Sequence, residues 1–150
     1  MSSNYLRDIE GIVEVGESFK LHVTGFSMLP LLGCGRDNIL IRRIDAEEDI
    51  TGRIAMFRTA DGHIVVHRVV KVENGNVTLQ GYGNPYKREL CRRSEIIGVV
   101  ESVERENGRE EGCTTREWLR KESIWLHLPA IVRHYTLGIM RKWLRWRRKK

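Results

Sequence analysis

The chain has 150 residues, 41% hydrophobic and 31% charged, which describes one globular domain with room for an appendage and excludes wholesale disorder. Its formal charge of +6 is uneven: eight Lys or Arg follow Glu122, the last acidic residue, leaving residues 1–122 with 18 basic and 20 acidic side chains. The body is mildly acidic and the tail carries +8, so the chemistry of the body calls for no anionic partner.

Cys34, Cys91 and Cys113 form no C-x-x-C pair, which argues against a disulfide framework or thiolate zinc site and fits a cytoplasmic protein. The N-terminus is acidic and lacks the apolar core of a signal peptide. No run approaches the ~18 apolar residues of a transmembrane helix.

Residues 1–17 are expected to form an amphipathic helix over one edge of the body. Tyr5, Leu6, Ile9, Ile12 and Val13 recur at helical spacing and Gly16 supplies a stop. Phe19, Leu21 and Val23 then alternate with Lys20, His22 and Thr24, the pattern of a half-buried strand. Gly25-Phe26-Ser27-Met28-Leu29-Pro30 breaks that alternation. Further strands are expected at Ile39–Ile41, Ile54–Phe57, His63–Val72, Asn76–Gln80 and Ile96–Val103, with Asn74-Gly75 as a hairpin turn. Residues 18–103 thus predict a mainly β domain. Residues 104–115, charged and without period, predict a linker. Residues 116–150 predict a basic, Trp-rich helical tail. In it Pro129 opens a helix, and Leu128, Ile131, Val132, Tyr135, Ile139, Trp143 and Trp146 recur at three- and four-residue steps.

Two residues stand out chemically. Ser27 sits where a strand ends in a Gly- and Pro-bounded turn, a geometry that can expose a nucleophile and aim backbone amides at one spot, though serines in turns are common. His67 shares a strand face with His63, Val65 and Val69. Four strand positions span about 13 Å, too far for His63 and His67 to share a metal ion. A base for a serine nucleophile is the sharper reading, against a satisfied core histidine.

Several motifs then fall in one order: Gly25 to Pro30, Gly35-Arg36-Asp37 before Ile39–Ile41, Gly52-Arg53-Ile54 before Met56-Phe57, His67-Arg68-Val69-Val70, Gly81-Tyr82-Gly83-Asn84, and Ile97-Gly98-Val99-Val100. Over residues 19–103 the chain resembles the superfamily of type I signal peptidases and SOS-repressor autopeptidases. The resemblance implies a coiled, antiparallel β-sheet peptidase domain with a shallow peptide groove. It implies Ser27 as nucleophile and, in the manner of the archaeal and endoplasmic-reticulum signal peptidases, His67 as base. With Gly25 in place of the family's serine two residues before the nucleophile, the oxyanion would rest on backbone amides of Ser27 and Met28. No metal or organic cofactor is implied. The substrate would be an extended peptide or protein segment with small residues near the cut.

Where relatives carry an aspartate that orients the histidine, this chain has Tyr82. Three readings follow: a slow Ser27–His67 dyad, a dyad that borrows another acid such as Asp61, or a remnant. Arg53 likewise replaces a family aspartate, at a position read as structural. Only 26 residues precede Ser27, with no alanine among them, which argues against repressor-type autocleavage and a DNA-reading domain in that segment. The alternative function is a catalytically inactive peptide- or protein-binding β domain held at a membrane by its tail.

For residues 118–150 three readings compete: a helix packed on the body, contact with an anionic membrane surface through Trp, Lys and Arg, and nucleic-acid contact, for which no recognition module is present. The body, residues 1–117, is expected to stay soluble without the tail. The sequence leaves the oligomeric state open.

Overall fold

A computed structural model describes Asp8, residues 11–33 and residues 35–149. The strands are β1 (Ser18–His22), β2 (Asn38–Arg43), β3 (Ile54–Arg58), β4 (Ile64–Glu73), β5 (Asn76–Gln80), β6 (Glu89–Arg92), β7 (Ile96–Glu104) and β8 (Glu110–Gly112). Helices α1 (Arg116–His127) and α2 (Ala130–Arg148) follow. The strands make one antiparallel eight-stranded sheet in the order β1-β2-β7-β3-β4-β5-β6, with β8 paired to β7. The mainly β reading holds, and every strand expected from alternation is present.

Alternation divides the core. Leu21, Ile39, Ile41, Ile54, Met56, Val100 and Val103 pack with the helices, while Ala55, Phe57, Val69, Val77, Leu79 and Val99 form a second cluster. At the β4–β5 hairpin Asn74 and Gly75 both take positive φ, 51° and 77°, as a two-residue turn matched to strand twist requires.

Four expectations need correction or limits. Tyr5, Leu6 and Ile9 of the expected N-terminal helix lie outside the described residues, as does Cys34. Asp8, Gly11 and Ile12 are helical, and Ile12 is 76% exposed. The 104–115 segment is not a free linker. Its β8 pairs with β7 through Ser102↔Gly112 and is tied down by Arg105 to Glu111 and by Ser102 Oγ donating to Glu110. β6 was not foreseen: its Glu-Leu-Cys-Arg pattern is polar, and Leu90 points to solvent.

The tail is helical, as expected, and packs on the body. Thr115 caps α1, its hydroxyl accepting from the Trp118 N–H at 3.2 Å, and Trp118, Glu122 and Trp125 turn one buried face to the body. Along α2, Leu137, Met140 and Leu144 face inward. The apolar series read from the sequence, from Ile131 to Trp146, lies on the outer side, and only Leu128 at its start packs against the core.

Candidate active site

The Ser27 turn follows β1 and is braced from several directions. Asp37, buried just before β2, accepts from the Gly33 N–H at 2.6 Å and from Arg105 Nη1 at 2.7 Å. The same guanidinium donates to the Leu31 carbonyl at 2.8 Å. The Gly83 N–H donates to the Ser27 carbonyl at 2.7 Å. Among the described residues no backbone carbonyl accepts from the Ser27 or Met28 N–H. The Met28 side chain is buried core, whereas Gly25 is exposed at the mouth of the site.

Strand β4 presents His67 on the face of the second core cluster, with its ring centroid 5.8 Å from that of Phe57. The Ser27 carbonyl and the His67 ring approach one another across Gly81. A Cβ on Gly81 would stand 2.4 Å from the Ser27 carbonyl oxygen and 3.0 Å from His67 Nε2, so the turn and the imidazole are neighbours only because residue 81 has no side chain. Nε2 is buried and has no hydrogen-bond partner, the Ser27 hydroxyl included.

The carboxylate beside His67 is Glu89, on β6. Its Oε2 lies 3.0 Å from His67 Nδ1, a close ion-pair distance without the alignment of a hydrogen bond, and its Oε1 is 3.7 Å from Lys87 Nζ. Burial is the largest influence on the imidazole and moves its pKa below 6.5, while Glu89 pulls the other way. Burial thus favours the neutral form of the ring. Asp61, the acid considered from the sequence, sits on the exposed β3–β4 turn.

Tyr82 has a different task. Its hydroxyl donates to Glu122 Oε1 on α1, which also accepts from Arg68 Nε at 2.6 Å, and burial together with that carboxylate pushes the phenol pKa up. Trp125 Nε1 donates to the Tyr82 carbonyl at 3.0 Å, and Arg141 on α2 donates to the Gly83 carbonyl. Arg148 lies over the Phe26 ring at 5.5 Å. Both tail helices thus hold the residue 82–83 turn that fixes Ser27, a connection no local pattern announces.

Above the site runs a groove of about 310 Å³, lined on one side by residues 21–25 and on the other by residues 62–66, with Leu32, Ile39 and Met56 on its floor. Both walls are strand edges. β1 ends the sheet, and β4 pairs with β5 only from Arg68 onward, which leaves Ile64–Val66 paired on the β3 side alone. Such edges accept an extended peptide as an added strand. Among the described residues no group of three His, Cys, Asp or Glu converges to hold a metal ion.

The antiparallel sheet carries a groove between two strand edges, with the Ser27 turn on its lining. The Peptidase S24-like family model matches residues 3–101, and the chain belongs to that family. A search of curated proteins finds no match.

Proposed function

We propose that the protein is a serine endopeptidase in which Ser27 is the nucleophile, His67 the general base and Glu89 the group that positions His67. The observation that carries this reading is the convergence of the Ser27 turn and His67 Nε2 on Gly81, with Glu89 3.0 Å behind the ring.

A substrate strand lies along the β1 and β4 edges and brings its scissile carbonyl to Ser27. Rotation of the Ser27 side chain closes the hydrogen bond to Nε2, a contact that tightens in many hydrolases only when substrate is bound. The Oγ–carbon bond forms as Nε2 takes the hydroxyl proton, and the carbonyl electron pair moves onto the oxygen, facing the Ser27 and Met28 amides. Collapse of the tetrahedral intermediate breaks the C–N bond, and the imidazolium gives its proton to the leaving amine. Water, activated by the same imidazole, then releases the acyl group. Glu89 offsets the imidazolium charge in both halves, the role that Tyr82, committed to Glu122, does not fill.

The unpartnered Nε2 favours a second reading, a peptide-binding domain without catalysis. Incubation with a diverse peptide mixture separates the two. New N-termini produced by the wild type and absent with Ser27→Ala support the peptidase. Peptide retention without cleavage by either protein supports the binding domain and overturns the peptidase.

A further inference from the structure

Helix α2 is apolar on two sides. Leu137, Met140 and Leu144 pack on the body, while Ile131, Val132, Tyr135, Ile139, Trp143 and Trp146 are 43% to 72% exposed. At 3.6 residues per turn these six fall within a sector of about 120°. A soluble helix ordinarily needs one apolar face, and the first already anchors α2. Tryptophan and tyrosine among the six suit a boundary between water and hydrocarbon, where an amphipathic ring meets both.

Charge selects the occupant. Residues 123–150 hold eight Lys or Arg and no Asp or Glu. Exposed Arg145 and Arg147 flank the apolar sector and exposed Lys142 rises within it, with the Arg147 guanidinium stacked over Trp143 at 4.8 Å. A second copy of the same face would bring like charges together, and a nucleic-acid backbone would leave the apolar sector in water. We propose that the outer face of α2 docks the protein on an anionic lipid surface, its apolar sector at the headgroup–acyl boundary and its flanking cations on lipid phosphates. Among the described residues no helix is long and apolar enough to cross a membrane.

The test uses the full chain and vesicles of phosphatidylcholine with or without phosphatidylglycerol. The protein should sediment with the anionic vesicles, shift its tryptophan emission to the blue, and release as salt is raised. Ile139→Asp should weaken binding about tenfold or more without altering thermal unfolding, because the side chain it replaces is 72% exposed. Arg145→Glu should weaken it similarly through charge alone. Equal binding by the variants, equal binding to neutral vesicles, or no binding overturns the proposal. So does a dimer in sedimentation velocity that Ile139→Asp dissolves, which would assign the face to a second copy. Retention of duplex DNA in place of vesicles would likewise assign it to nucleic acid.

Discussion

Replacing Glu89 by glutamine keeps the shape of the side chain and removes its charge, which isolates what that charge does for His67. A unit charge 3.0 Å from Nδ1 stabilises the imidazolium by about 5.5 kcal/mol at an effective dielectric near 20. The poor alignment and a Glu89 side chain that is 24% exposed reduce this by about half, to ~3 kcal/mol. Glu89→Gln should therefore slow acylation of Ser27 roughly 100-fold at saturating base. The pH profile carries a second signature. His67 already titrates below 6.5 because burial outweighs the pull of Glu89, so removing that pull moves the acid limb to still lower pH. The assay is the rate of covalent modification by a fluorophosphonate, followed by intact mass between pH 4 and 9. A loss smaller than about threefold, or an acid limb that stays put or moves up, would refute the role assigned to Glu89.

Other expectations follow from the same geometry. Gly81→Ala places a methyl group 2.4 Å from the Ser27 carbonyl and 3.0 Å from Nε2. It should therefore abolish acylation while costing about 1–3 kcal/mol in denaturant unfolding. Tyr82→Asp should not restore a family-like triad. It buries a second carboxylate beside Glu122, so calorimetry should show roughly 3–5 kcal/mol of lost stability and the acylation assay no gain. Deleting residues 118–150 uncovers the core against which Trp118, Trp125, Leu137 and Leu144 pack. At about 1.5–3 kcal/mol each, their loss rivals the whole stability of a small domain. The truncated chain should aggregate or lose its near-ultraviolet circular dichroism, against the sequence-based expectation that residues 1–117 stay soluble. A cooperative melt equal to that of the full chain would show that the helices contribute little.

Most of the sheet was legible because its strands alternate apolar and polar residues, and Asn74-Gly75 specifies its hairpin without tertiary help. Ser27 and His67 were legible as residue types on a turn and a strand face. The approach of the Ser27 carbonyl to the His67 ring at Gly81 was not, since close approach across a glycine leaves no local pattern. Glu89 escaped because β6 is short, polar and at the sheet edge, and because its partner lies 22 residues back along the chain, at His67. The family pattern points to position 82 and the sequence offers Asp61 besides, but neither is the carboxylate beside His67. In the tail, the outward series from Ile131 to Trp146 is longer than the inward set of Leu137, Met140 and Leu144, so periodicity alone left open which face packs on the body. The body decides which sides turn in, with Tyr82 and Arg68 holding Glu122 of α1 and the Gly83 carbonyl holding Arg141 of α2.

The central claim is that Ser27 is a nucleophile activated by His67. Peptide mapping after treatment with a fluorophosphonate tests it most directly, on the wild type, Ser27→Ala and His67→Ala. The account predicts one phosphonylated residue, Ser27, in the wild type, none in Ser27→Ala, and a rate at least about 1000-fold lower in His67→Ala. An unmodified Ser27 in folded wild-type protein, or modification at the same rate without His67, would contradict it.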